Sequence, residues 1–262
     1  MTGAPAGEEL VHLEVTGGTA TVTLDSPANR NALSRQLRSE LRDRLESALR
    51  DEAVRVVVLT HTGPVFCAGM DLKESRSADP SQQGINDFPE LLELLWTSPK
   101  PVVARLAGPA RAGGVGLAAA CDLAVAADTV SFAFTEVRLG IVPAVISVPV
   151  LPRLLPRAAH ELFLTGEVFG AARAVEIGLL NSAVPLADLD AEVARYTGML
   201  VLGSPSALAA TKLLLDAGEA GSFAAALAAA GELSARHFAS EEGQEGIAAF
   251  LDKRPARWVP AS

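Results

Sequence analysis

Cysteine is scarce in this 262-residue chain, and the two present, Cys67 and Cys121, stand far apart with neither in a CxxC or CxxH pair. That usage excludes a disulfide framework and offers no zinc or redox motif, which leaves reduced structural thiols in a cytoplasmic protein. Positive charge is also short: 22 Lys and Arg face 31 Asp and Glu, a formal net charge of -9. Nucleic-acid surfaces draw their affinity from clustered Lys and Arg, so no nucleic-acid partner is expected, and any anionic ligand must meet a local basic patch. Long apolar runs are missing too. The stretch from Val145 to Leu155 is broken by Pro149, Pro152 and Arg153, well short of a membrane span, so no membrane partner is expected. The first nine residues, MTGAPAGEE, carry no positive n-region and no apolar core and read as a loose tail rather than a secretory signal. The four histidines, His12, His61, His160 and His237, form no metal-ligand spacing; no metal is expected and they receive no role.

What is present is apolar residue, 49% of the chain, enough for one large core. Leu10 to Val15 and Thr19 to Leu24 alternate about the Gly17-Gly18 pair, which predicts an opening β-hairpin. Leu33, Leu37, Leu41, Leu45 and Leu49 recur every fourth residue and mark one face of an amphipathic helix. Val54 to Thr60 is nearly all apolar and β-branched, as a strand covered on both faces is. After a polar loop from Ser75 to Gly84, the pattern predicts a helix around Phe88 to Trp96, a strand over Val102–Leu106, a small-residue helix over Gly113–Cys121 and a strand over Leu123–Ala127. Strands alternating with helices make an α/β core. Beyond about residue 186 the character changes to Ala- and Leu-rich helical segments: Leu186 to Leu202, Ala207 to Asp216, Phe223 to Ser240 and Glu241 to Lys253. The division expected is a tail over 1–9, a core over 10–185 and a helical region over 186–262 that caps the core or packs on a neighbouring subunit.

Three segments can carry chemistry. Phe66-Cys67-Ala68-Gly69-Met70-Asp71-Leu72-Lys73 follows a buried strand, where small residues let main-chain N–H groups approach a ligand; a tight turn is the alternative. Gly108-Pro109-Ala110-Arg111-Ala112-Gly113-Gly114-Val115-Gly116-Leu117 runs from a strand into a helix. The first N–H groups of a helix lack intrahelical partners and can hold an oxyanion or a phosphate. The same glycines also permit close helix packing, since Gly113, Gly116, Leu117 and Ala120 share a face. In Ser131-Phe132-Ala133-Phe134-Thr135-Glu136, period-two alternation puts Glu136 beside Phe132 and Phe134 if the extended conformation continues. Desolvation there would raise its pKa and suit it to acid/base work. If the strand has already ended, Glu136 forms a surface pair or a helix cap.

In this order and spacing the segments resemble the crotonase superfamily of enoyl-CoA hydratases and isomerases, from about Leu10 to Trp258. Thr23-Leu24-Asp25-Ser26-Pro27-Ala28-Asn29-Arg30-Asn31-Ala32-Leu33, Cys121-Asp122-Leu123-Ala124, Leu139-Gly140-Ile141-Val142-Pro143, Leu164-Thr165-Gly166 and Phe250-Leu251-Asp252-Lys253-Arg254 match its landmarks. The resemblance implies a spiral of ββα units and a C-terminal helical region that makes homotrimers, commonly paired into homohexamers. It implies an acyl-CoA thioester substrate, with coenzyme A as part of the substrate and no further cofactor. By the same likeness the N–H groups of Met70 and Gly113 hold the thioester oxygen, and Glu136 is the acid/base. Ala68, Asp71, Leu72 and Lys73 lie where CoA is held, with Lys73 near the phosphates and Arg30 a second cation. Hydratases of the family typically add a second glutamate on the glycine-rich helix; that position is Gly116 here, counted with the substrate-binding set. Its missing side chain implies a larger or drier pocket and a bulkier acyl group. Hydration of a 2-enoyl-CoA is the first reading of the reaction, 3-enoyl to 2-enoyl isomerisation the second, and a non-catalytic acyl-CoA-binding subunit the third. Arg111 and Arg138 flank the motifs and either pair structurally or read a substrate carboxylate.

Overall fold

The computed structural model describes residues 9–71, 74, 87–139, 142–216 and 240–260. The expected tail up to residue 8, the polar loop from Ser75 to Gly84, and the segment from Phe223 as far as residue 239, which includes His237, lie outside these residues. In chain order the strands are β1 (Val11–Thr16), β2 (Thr19–Leu24), β3 (Val56–His61), β4 (Val102–Leu106), β5 (Ala110–Arg111), β6 (Leu123–Ala127), β7 (Ser131–Ala133), β8 (Phe169–Gly170) and β9 (Ser182–Val184). The helices are α1 (Arg35–Arg50), α2 (Phe88–Trp96), α3 (Gly113–Ala120), α4 (Ala144–Val150), α5 (Pro156–Thr165), α6 (Ala171–Glu176), α7 (Leu189–Leu200), α8 (Pro205–Asp216) and α9 (Glu241–Asp252).

Two sheets result. The larger runs β1-β2-β3-β4-β6-β9, antiparallel only at the opening hairpin and parallel from β2 to β9. Parallel neighbours need crossovers; α1, α2 and α3 supply the first three, and the stretch holding α4, α5 and α6 supplies the one from β6 to β9. The hairpin closes on Gly17 and Gly18, both at positive φ, as a two-residue turn between right-twisted strands requires. Every residue of β3 is buried, in keeping with its unbroken apolar run, although the strand spans Val56–His61 rather than Val54–Thr60. The smaller sheet, β5-β7-β8, is built from strands of two or three residues.

Helix α1 starts two residues later than its leucine repeat. The Ser34 hydroxyl accepts the Leu37 N–H, capping the helix, so Leu33 falls outside it and gives its own N–H to the Gly69 carbonyl at 2.8 Å. Leu37, Leu41 and Leu45 are buried against the sheet. At the other end of the chain, α8 is tied to the core by Lys212, whose ammonium lies 2.7 Å from Asp122 between α3 and β6. The same Asp122 oxygen accepts the Val102 N–H, so one carboxylate joins α8 to β4. Among the described residues no single helix is long and apolar enough to cross a membrane.

Candidate active site

The loop after β3 lies between two partners. On one side the Arg30 carbonyl accepts the Ala68 N–H at 3.1 Å, and Leu33 pairs with Met70. On the other, Cys67 pairs with Ala110 of β5, and the Cys67 carbonyl accepts the Arg111 N–H at 3.0 Å. The turn that presents Arg30 is held open by Asn31. Both residues have positive φ, and the fully buried Asn31 amide spans the Ser26 N–H and the carbonyls of Thr62 and Val65. Asparagine tolerates that backbone and satisfies three groups that would otherwise be stranded.

Helix α3 meets this loop at its first turn. Ala112, a non-glycine residue at φ 47 and ψ −116, swings the chain into the helix, and its carbonyl takes the N–H groups of both Val115 and Gly116. The Gly113 N–H is left without a hydrogen-bond partner among the described residues, and so is that of Met70. The approach is close. A Cβ on Gly69 would sit 3.1 Å from the Ala112 Cβ and 3.5 Å from the Gly113 nitrogen, and one on Gly114 would lie 2.5 Å from the Cys67 carbonyl oxygen. Packing and open N–H groups, set out above as alternatives for these glycines, therefore occur together. Gly114, absent from the face expected to pack, is the tightest of the glycines within the helix. Burial pushes the Cys67 thiol up to about 12, so it is a packing group and no nucleophile.

The small sheet joins this pair to Glu136. Arg111 is in register with Ala133, and the Ala112 N–H reaches the Ala133 carbonyl at 3.1 Å, so Gly113 and Glu136 leave adjacent strand ends. Of the two readings left open for this segment, the strand has ended before Glu136. β7 stops at Ala133, and Glu136 opens a single 3-10 turn over Glu136–Leu139. Its carboxyl is half-buried all the same. Burial raises its pKa above the ordinary 4.5, opposed by its own backbone N–H, and the buried Oε2 has no hydrogen-bond partner among the described residues. Phe132 and Phe134, fully buried, fix the approach by packing on Phe169 and Phe163 with ring centroids 5.7 and 4.3 Å apart.

The remaining candidates divide. Arg30 is exposed, and no carboxylate pairs with it among the described residues. The Asp71 carboxylate accepts the Glu74 N–H at 3.3 Å, and Glu74 in turn accepts the Arg35 N–H, which makes Asp71 part of a local cap. Leu72 and Lys73 lie outside the described residues. Of the larger or drier pocket that the missing side chain of Gly116 implied, the larger is corrected. A Cβ there would stand 2.7 Å from Ile146 Cγ2, so the space is already filled by α4. Arg111 is spent on the Ala110 and Ser131 carbonyls and the Ser131 hydroxyl, and Arg138 donates to the Thr165 carbonyl where α5 ends at Gly166. Ile146 and Ala112 went unmarked in the sequence. A buried isoleucine has no distinguishing pattern, and alanine is not the residue that positive φ announces.

Two backbone N–H groups without a partner among the described residues, on segments joined through the small sheet to a half-buried carboxyl, can hold a carbonyl oxygen as it gains charge while a proton moves on the neighbouring carbon. The fold and site define an enzyme of that class. Comparison with known proteins narrows it, for the family model described as enoyl-CoA hydratase/isomerase matches residues 14–260, and the chain belongs to that family. A 2,3-dehydroadipyl-CoA hydratase of Escherichia coli is 34% identical over 235 residues, covering 89% of this chain and 92% of the relative. Among solved structures, an enoyl-CoA hydratase from Shewanella pealeana superposes with a TM-score of 0.89 at 35% identity, covering 95% of this chain and 96% of the other. One from Mycobacterium avium is 43% identical with a TM-score of 0.73, covering 96% and 99%.

Proposed function

We propose that the chain adds water reversibly to a 2-enoyl-CoA, with Glu136 as the only acid/base group and the Met70 and Gly113 N–H groups holding the thioester oxygen. The observation that carries this is the Glu136 carboxyl: raised in pKa by burial and with one oxygen unpartnered among the described residues, it suits a proton carrier. Water attacks C3 and gives a proton to the carboxylate; a proton passes from the carboxyl to C2; the negative charge rests meanwhile on the thioester oxygen. Both steps use one face of the double bond, so addition is syn. The hydratase names of the relatives support water as the second substrate.

The second reading is 3-enoyl to 2-enoyl isomerisation, in which Glu136 removes a proton from C2 and returns one at C4. It is favoured by the hydrocarbon of Ile146 where a second carboxyl would stand. Incubation with a 2-enoyl-CoA and with a 3-enoyl-CoA separates the two. A product heavier by one water supports hydration, and an isomer of unchanged mass supports the alternative. Glu136→Gln is expected to lower kcat by about 10²–10⁴, the range for one positioned acid or base. Full turnover in that variant would end both readings.

Arg30 beside Ala68 is our candidate for the CoA phosphates on the described surface, together with Lys73 by family likeness. The engaged guanidiniums of Arg111 and Arg138 favour an acyl group without a carboxylate, unlike that of the dehydroadipyl relative. We also propose a cytoplasmic homotrimer or homohexamer. Leu213, Leu214 and Leu215 on α8 are 67%, 50% and 81% exposed, an apolar edge that a subunit contact would cover.

A further inference from the structure

Gly116 sits three residues beyond Gly113, one turn along the helix whose first N–H faces the reaction. Its φ is not in the left-handed region, so the backbone would accept any residue; the obstacle is space. A Cβ at 116 would meet Ile146 Cγ2 at 2.7 Å and Ile146 Cβ at 3.2 Å. These atoms form the root of a branched side chain, not a mobile tip. Ile146 is 3% exposed and lies in the middle of α4, where a β-branched residue is held to one favoured rotamer. It cannot swing aside.

We propose that Ile146 is a positioning residue that limits this site to one carboxyl. By packing on Gly116, it bars the second turn of α3 from carrying any side chain toward the substrate, and so selects chemistry that Glu136 can perform alone. The inference rests on the acid/base reading of Glu136 given above. Positions 116 and 146 then form a coupled pair. A side chain can enter at 116 only when the branch leaves Cβ at 146, and a glutamate admitted that way becomes a second acid/base group that water addition can use.

The test compares Gly116→Ala alone, with Ile146→Leu and with Ile146→Val, reading Tm and turnover on 2-enoyl-CoA and 3-enoyl-CoA. Leucine keeps the volume but moves the branch off Cβ, whereas valine keeps both methyl groups there. G116A is expected to lose Tm and turnover, I146L to restore both, and I146V to restore neither. A general loss of core volume would not separate leucine from valine in this way. G116E combined with I146A is expected to raise the ratio of hydration to isomerisation at least about tenfold over the unmodified protein, within the reach of one added acid or base. Wild-type Tm and turnover in G116A, equal rescue by leucine and valine, or an unchanged product ratio in folded G116E/I146A would each overturn the proposal. Full turnover in E136Q would instead sink the reading of the site, and the Tm pattern at 116 and 146, which needs no substrate, would still report the coupling.

Discussion

Glu136 is held where burial disfavours its charged form. Burial raises its pKa, which means that the folded protein binds its proton more tightly than the unfolded chain does. Below the ordinary value of 4.5 both states are protonated and the group is neutral toward stability. As the pH rises from 4.5 through the raised folded value, the folded state loses stability relative to the unfolded one. Glu136→Gln removes that penalty. Calorimetry is therefore expected to show E136Q with a higher Tm than the unmodified protein near neutral pH, the gap closing below about pH 4. A constant gap at all pH values would mean that the group is solvated. The acidic limb of the pH–rate profile should likewise lie above 4.5, and no such limb should survive in the variant.

This residue also shows burial reached by a different route from the extended one that suggested it. The alternation Phe132, Phe134, Glu136 pointed to a desolvated carboxyl by extending the strand, yet β7 ends at Ala133 and a 3-10 turn does the placing. The aromatic pair matters because it buries the strand end against Phe163 and Phe169, which are distant in sequence and invisible to a local pattern.

At the scale of elements, the contact between α3 and the loop after β3 decides whether Met70 and Gly113 face one point. Gly114 is its pivot. A methyl group there would lie 2.5 Å from the Cys67 oxygen and 2.8 Å from its Cβ, both on a buried strand-like segment with little freedom to yield. Gly114→Ala is expected to destabilise the fold by about 1–3 kcal/mol, the usual cost of overpacking, and to lower kcat more than it changes KM. Urea titration and steady-state kinetics measure the two effects. Unchanged stability would show that the loop can retreat.

The elements themselves were legible in proportion to their length. The hairpin, α1, α2, β4 and β6 follow from repeats of five residues or more, and α2, β4 and β6 match the expected ranges at both ends. Of the small sheet that assembles the site, only β7 was legible, from the alternation over Ser131 to Glu136; β5 and β8, of two residues each, have no period to read. The helices α4, α5 and α6 escaped for a related reason. α4 and α6 have only seven and six residues, and α4 and α5 carry Pro149 and Pro156, residues that in a sequence read as loop.

For the molecule as a whole, polar ties join the C-terminal helices to the core, and Lys212 to Asp122 is the most enclosed ion pair of those described. Asp122 is raised in pKa chiefly by burial, with Lys212 opposing the shift. Lys212→Met would strand that carboxylate, and a loss of about 3–5 kcal/mol is expected at neutral pH, shrinking as Asp122 is protonated on acidification. Proteolysis should then enter at α8 first. If α8 also carries the subunit contact, light scattering of the unmodified protein will give three or six times 27.1 kDa, and Leu215→Glu will lower that mass. A monomer in both would remove the apolar edge of α8 from the account.

The order of strands in the large sheet has a temporal side. β6 is an interior strand only because β9 lies beside it, Val125 pairing with Ser182. During synthesis β6 leaves the ribosome well before its neighbour. For the seconds in between, its edge, Leu123 to Ala127 with four of five residues destined for burial, offers unpaired N–H and carbonyl groups to any passing strand. Translation stalled in that interval is expected to favour aggregation through this edge.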